Sequence, residues 1–216
     1  LSIVENDNGE ELIYIDTDKV LEGATSLNLR TKNKQSGKDK IYIRVGGYNI
    51  PTVANGFFQT NRYLLYDFQK IVLDALEGSY NILELYCGSG FFTIPLWRNG
   101  KKVLGVDSNR IALDLLGKEI GTKRCKLLDI NRDIEKLKFN FDAVLMDPDR
   151  DGASQKVINY LVTNKPQLVV YVSCNPLTMA RDIKGLMDHY YLEKFHIIDQ
   201  FPKTYHIESM AVFKRQ

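Results

Sequence analysis

Cysteine is scarce in this chain. There are three, Cys87, Cys125 and Cys174, an odd number that cannot pair completely. None stands at a metal-ligand spacing, and the histidines, His189, His196 and His206, are not grouped with them, so no structural metal and a reducing, cytoplasmic setting are expected. Long apolar runs are also missing, which excludes a bilayer-spanning helix by length. The first residues, Leu1-Ser2-Ile3-Val4-Glu5, lack the basic-then-apolar order of a signal peptide, and a leucine at position 1 is what a processed or cut chain would show. A net charge of +2 is no whole-protein signature for nucleic acid.

Charge is nevertheless unevenly spread. Residues 1–23 hold seven acids against Lys19, and residues 30–44 hold six bases (Arg30, Lys32, Lys34, Lys38, Lys40, Arg44) against Asp39. The basic run fits either a phosphate-tracking segment or a solvated loop. Residues 1–56 read as short strands and turns, with Leu12–Ile15 and Ile41–Val45 strand-like and Asn33–Lys38 a loop, together a small β appendage. From residue 57 the pattern changes. A helix capped by Thr60 or Asn61 runs through Tyr63 to Leu76. Buried strands then alternate with helices: Asn81–Tyr86, Lys102–Asp107, Cys125–Asp129, Phe141–Asp147 and Leu168–Val172 are strands, with helices at Ser108–Gly117, Asn131–Leu137, Ser154–Leu161 and Pro176–Met187. Two last strands, Tyr191–Phe201 and Glu208–Phe213, have no helix between them and should pair antiparallel. The expectation is an α/β fold, a doubly wound, mostly parallel sheet over residues 57–216 with the β appendage before it.

Chemistry concentrates at the carboxyl ends of these strands, where open α/β sheets bind ligands. Cys87-Gly88-Ser89-Gly90 is a tight loop opening a helix near Phe91, and Asp107 ends the next strand, where an acid accepts bonds from ribose hydroxyls. Phe91 and Phe92 follow the second glycine, in place of the small residues a pyrophosphate favours. S-adenosylmethionine, which has no phosphate, therefore fits better than a nicotinamide dinucleotide. Asp147-Pro148 forms a turn after the fourth strand. Cys174 follows five apolar or aromatic residues and precedes Asn175-Pro176, so it sits at a central strand's end, as a small buried hydrophobe or as a rigidly held nucleophile.

Four segments, Phe57-Phe58-Gln59-Thr60-Asn61, Leu85-Tyr86-Cys87-Gly88-Ser89-Gly90, Val172-Ser173-Cys174-Asn175-Pro176 and His206-Ile207-Glu208-Ser209-Met210, resemble in content and order the RNA uracil-5-methyltransferase family, which makes 5-methyluridine in tRNA and rRNA. The resemblance covers roughly residues 40–214 and implies a seven-stranded methyltransferase fold with a C-terminal antiparallel pair of strands. It also implies S-adenosylmethionine as cofactor and RNA as partner, with Cys174 as nucleophile and Glu208 as general base. By the same resemblance Gln59, Tyr86, Gly88, Gly90, Phe91, Asp107 and Asp147 lie at cofactor or base positions. Phe57 and Phe58 either stack on an extruded base or belong to a core. Asp149 stands where the family usually has a second proline, which leaves the shape of that turn open. The amino-terminal barrel and iron–sulfur cysteines of many relatives are not in this stretch. Two other readings are a methyltransferase for a different base, and an RNA-binding module that keeps the fold without the chemistry.

Overall fold

The computed structural model describes residues 2–14, 29–30, 35–36, 38–54, 56–59 and 61–216. Half of the Asn33–Lys38 segment, the bases Lys32 and Lys34, the acids Asp16, Asp18 and Glu22, and the capping candidate Thr60 lie outside the described residues. The chain divides into two units, residues 1–59 and 60–216.

In the first unit, β1 (Ser2–Glu5), β2 (Glu11–Tyr14), β3 (Leu29–Arg30) and β4 (Gln35–Ser36) form one sheet in that order. A hairpin, β5 (Ile41–Val45) and β6 (Tyr48–Thr52), forms a second. Its turn is Gly46-Gly47, with φ of 56° and 90°. Positive φ at both central residues matches the twist of the flanking strands, and glycine adopts it without a Cβ clash. Along β5, Ile41, Ile43 and Val45 are buried while Tyr42 and Arg44 face out.

In the second unit, α1 (Leu65–Ala75) buries Leu65, Phe68, Gln69 and Val72, spaced as one helical stripe. The capping expectation is corrected: the N-cap is Leu64, with no side-chain cap, and Asn61 Oδ1 instead accepts the N–H of Tyr63 one turn earlier, at 3.2 Å. Then come β7 (Asn81–Leu85), α2 (Thr93–Arg98), β8 (Lys102–Asp107), α3 (Arg110–Ile120), β9 (Cys125–Leu127) and α4 (Ile130–Asp133). They are followed by β10 (Ala143–Met146), α5 (Gln155–Asn164), β11 (Leu168–Ser173), α6 (Pro176–Ile183), β12 (Tyr190–Ile198) and β13 (Glu208–Arg215). The expected helix over Asn131–Leu137 is shorter, a single turn continued by a 3₁₀ turn at Ile134–Lys136, and the helix opening at Pro176 stops at Ile183, before Met187.

The sheet has seven strands in the order β12-β13-β11-β10-β7-β8-β9. Pairing is parallel from β11 to β9 and antiparallel on both sides of β13, which is inserted between β11 and β12. This is the α/β methyltransferase arrangement expected. The sheet separates two apolar clusters. One holds Leu83, Leu85, Val106, Val144, Met146, Val169, Tyr171, Ala211 and Phe213 on the face packed by α5. The other holds Ile82, Val103, Ala143, Leu145, Val170, Val172, Ile198, Met210 and Val212 with Phe68, Val72 and Leu76 of the α1 region.

Candidate active site

Strand side chains alternate between faces, so each strand's cluster membership fixes where its last residue points. On β10, Ala143 and Leu145 belong to the α1-side cluster, and Asp147 continues that series. On β11 the series is Val170, Val172, then Cys174; on β13, read backwards, it is Val212, Met210, then Glu208. On β7 it is Ile82, then Glu84; on β8, Val103, Gly105, then Asp107. Five strands thus deliver Glu84, Asp107, Asp147, Cys174 and Glu208 to one face along one edge of the sheet.

Register brings two of them together. Ser173 pairs with Ser209 across β11 and β13. Cys174, at the bend where β11 ends, and Glu208, the first residue of β13, are next in line beyond that pair, and Glu208 is close enough to act electrostatically on the thiol. Glu208 is buried at 3% exposure, and among the described residues its Oε1 has no hydrogen-bond partner. Burial, and then the Asp147 carboxylate, push its pKa up to about 8. Burial alone pushes Asp147 up to about 7. The half-buried Cys174 thiol is raised by burial, then by Glu208 and Asp147, against a smaller opposing pull from Arg150. The surroundings thus raise the thiol's pKa, by burial above all and then by the two acids beside it.

At the other end of the edge, the glycine loop is tied down by its own strand. The N–H of Gly88 donates to Asp107 Oδ2 at 2.8 Å, and the N–H of Asn109 donates to Oδ1 at 2.7 Å. Gly90, at φ 99°, lies so close to α3 that a Cβ would stand 2.5 Å from Leu116 Cδ1, which explains the glycine. Gly88, at φ 53°, is open: among the described residues no atom lies within 4 Å of a Cβ built there. Half-buried loop backbone with open space at Gly88, beside a strand-end acid, fits the polar end and ribose of a nucleoside cofactor. Tyr86 takes φ 63°, its hydroxyl donating to Asn131 Oδ1 at 2.9 Å, and burial raises its pKa. The Phe91 ring packs on Phe68 and Phe92, and its carbonyl accepts from Gln69 Nε2 at 2.6 Å. Phe57, Phe58 and Gln59 belong to the first unit, where Phe57 is 80% exposed and the other two are half-buried.

Asp149 replaces a rigid ring with a self-closing turn, since its Oδ1 accepts the N–H of Asp151 at 3.2 Å and its carbonyl that of Gly152 at 3.0 Å. Buried Asp182 of α6 holds the same turn: its Oδ2 accepts from the Ala153 N–H at 2.8 Å and the Tyr171 hydroxyl at 2.7 Å. Arg150 links the two strand ends, its carbonyl accepting from Asn175 Nδ2 at 3.2 Å and its guanidinium lying 2.5 Å from His206 Nδ1.

Sequence reasoning passed over Glu84, Asp182 and Arg150. Glu84 is buried, and burial, then Asp147 and Asp107, raise its pKa to about 8. Its signal was there to read, an acid inside an apolar strand; that of Asp182 was an acid three positions after Met179 on the inward stripe of a helix. Cys87, by contrast, is buried, with a pKa raised by burial above all, and none of the three cysteines is in a disulfide.

The tRNA (uracil-5-)-methyltransferase family model matches residues 33–132 and 121–216. A tRNA (uracil(54)-C(5))-methyltransferase of Pyrococcus horikoshii is 40% identical over 158 residues, 73% of this chain and 38% of that protein. A 23S rRNA (uracil(1939)-C(5))-methyltransferase of Vibrio parahaemolyticus is 34% identical over 192 residues, 81% of this chain and 42% of its own length. The crystal structure of the Pyrococcus abyssi tRNA (uracil-54, C5)-methyltransferase in complex with S-adenosyl-L-homocysteine superposes with a TM-score of 0.84 at 28% identity, covering 98% of this chain and 58% of that one. The chain spans less than half the length of these curated relatives. On the family model, which covers the whole of its second unit and the end of its first, the chain belongs to the tRNA (uracil-5-)-methyltransferase family.

Proposed function

We propose that this chain is the catalytic region of an S-adenosylmethionine-dependent RNA methyltransferase that acts on C5 of a uridine in tRNA or rRNA. The observation that supports the reading is the electrostatic cluster of Cys174, Glu208 and Asp147 at the ends of β11, β13 and β10, just beyond the Ser173–Ser209 pair. Residues 57–216 form the methyltransferase domain in this reading, and residues 1–56 contribute to RNA contact. The Gly88–Gly90 loop and Asp107 hold the cofactor, with Tyr86, Phe91 and Asp147 beside it. Phe57, Phe58 and Gln59 meet the target nucleotide.

Uracil C5 is a poor nucleophile. Addition of Cys174 Sγ to C6 moves the ring electron pair onto the C4 oxygen and makes C5 reactive. The cofactor supplies an electrophilic methyl group. Glu208 then removes the C5 proton, and the returning electron pair expels Cys174 and restores the ring. A carboxyl whose pKa is about 8 is a stronger base, once ionised, than an ordinary carboxylate, which suits a carbon acid. Ionised Glu208 opposes ionisation of Cys174, so in this reading the thiol proton is given up to solvent as Sγ adds to C6, leaving Glu208 ionised to take the C5 proton.

The test is direct methylation. The chain, incubated with S-adenosylmethionine and tRNA or rRNA transcripts, is expected to form 5-methyluridine detectable by mass spectrometry of digested RNA. Methyl transfer to cytidine, or to no nucleotide while RNA is still bound, contradicts the reading.

A further inference from the structure

The outward face of the β5–β6 hairpin carries an aromatic ring between two cations. Tyr42 and Arg44 alternate outward along β5, and Lys40, two residues before Tyr42, sets its Nζ 2.6 Å from the Tyr42 hydroxyl. Across the hairpin Arg44 pairs with Asn49, which is also exposed. A second wall comes from the turn after β1. Buried Asn6 builds it: its Oδ1 accepts the N–H groups of Asn8 and Glu10 at 3.0 and 2.9 Å, and its Nδ2 donates to Glu10 Oε2 at 2.7 Å. Asp7, Asn8 and Glu10 of that turn and Tyr42, Arg44 and Asn49 of the hairpin line one cavity of about 530 Å³, within the roughly 300–1,000 Å³ of small-ligand pockets. All of it lies in the first unit, away from every residue assigned a role above. Its acids do not make it negative. Lys38 pairs with Glu10, and with Lys40 and Arg44 three bases stand against Asp7 and Glu10.

We propose that this cavity binds one nucleotide of single-stranded RNA, other than the target uridine, with the base stacked on Tyr42 and the phosphate at Arg44. The proposal rests on the RNA reading above and names the residues by which the first unit takes part in it. Every base has a π face, and proteins that hold single strands combine such rings with cations along the backbone. The Tyr42 hydroxyl is already held by Lys40, so the ring is ordered before RNA arrives and less freedom is lost on binding. The planar guanidinium of Arg44 suits phosphate oxygens. Asn8 and Asn49 each offer the cavity a donor group and an acceptor for a base edge. The Asn6 turn is hydrogen-bonded within itself, so that wall stands without a ligand. One ring, cations and amides complete the lining, which fits a nucleotide and not an apolar ligand.

The test uses the full chain and fluorescein-labelled tRNA and rRNA transcripts, with binding followed by fluorescence anisotropy over a range of salt. We expect Tyr42→Ala to weaken RNA binding roughly 10- to 100-fold, the range for one base–aromatic stack, with Tyr42→Phe close to wild type because the ring is kept. Arg44→Ala should weaken binding and lower the slope of log K against log salt by about one, the counterion released by one phosphate contact. Tyr42→Ala should leave that slope unchanged. S-adenosylmethionine affinity should stay at the wild-type value in all three, which a general loss of structure would not allow. If Tyr42→Ala does not fold, Tyr42→Leu, which keeps bulk without an aromatic face, enters the same assays. Wild-type affinity in the Tyr42 variant, or an unaltered salt slope in Arg44→Ala, overturns the assignment. A wild type that binds RNA through Tyr42 and Arg44 yet forms no 5-methyluridine would instead overturn the reading of the catalytic site.

Discussion

The two ends of the sheet's carboxyl edge handle their polar groups in opposite ways. At the β7–β8 end, Asp107 is engaged at both oxygens by backbone N–H groups of its own loops, and the glycine turn is fixed by close packing on α3. At the β11–β13–β12 end, Glu208 and Gln200 are buried with unpaired atoms, and Cys174, Asp147 and Glu208 all have raised pKa values. The first end is held by hydrogen bonds within its own loops, whereas the second gathers buried acids that raise one another's pKa and that of the thiol. Glu84 is the exception that joins them, a buried acid of β7 that interacts with both Asp107 and Asp147.

Breaking the second end should have the largest effect. Cys174→Ala is expected to reduce methylation on the order of 10⁴-fold or more, as loss of a covalent nucleophile does, while leaving S-adenosylmethionine affinity at the wild-type value in titration calorimetry. Cys87→Ala should remain within a few-fold of wild type, since that thiol is a packed core group. Breaking the first end gives the converse pattern. Asp107→Ala should weaken cofactor binding by about 10- to 100-fold, the range for hydrogen bonds to a charged group. Equal loss of cofactor affinity in both variants would erase the distinction.

The pH dependence sharpens it further. In the proposed mechanism Glu208 must be ionised to act as a base, and burial raises its pKa to about 8. The log of kcat/KM should therefore climb with a slope of at least one below that value, where wild-type enzymes with an ordinary carboxylate base are already level. A flat profile from pH 6 to 9 would contradict it. A smaller effect concerns stability. Glu84 is raised from 4.5 to about 8. Between those values the folded chain retains a proton that the unfolded chain has released, so stability is highest below the lower value and falls as pH rises through the upper one. Glu84→Gln should flatten that decline in thermal melts at pH 5 and pH 8, and an unaltered decline would show that Glu84 is not its source.

Much of the site was legible because it follows from alternation. Once Val170 and Val172 are on a strand, Cys174 must share their face, and an acid ending an apolar strand, as Asp107 does, marks itself. The strands from Asn81 onwards were readable for the same reason, their long apolar runs reflecting burial on both faces. What was not legible depends on packing between distant segments. Nothing local distinguishes Gln200 from a solvated loop glutamine, or shows that Asp149 can close its own turn. The start of α1 was misplaced because Asn61 satisfies an N–H outside the helix, a choice that propensity does not encode. The raised pKa of Cys174 was not legible either, since it comes from burial first and then from Glu208 and Asp147, which only the folded sheet brings beside it.

The pairing of Cys174 with Glu208 is tested most directly by trapping. In RNA carrying 5-fluorouridine at the target, fluorine occupies the position of the proton that Glu208 removes in the proposed mechanism, so elimination would not follow methyl transfer. Peptide mass spectrometry should find the methylated nucleotide attached to Cys174, and Glu208→Gln should accumulate the corresponding adduct with ordinary uridine RNA. Attachment at Cys87 or Cys125, or no accumulation in Glu208→Gln, would contradict the pairing.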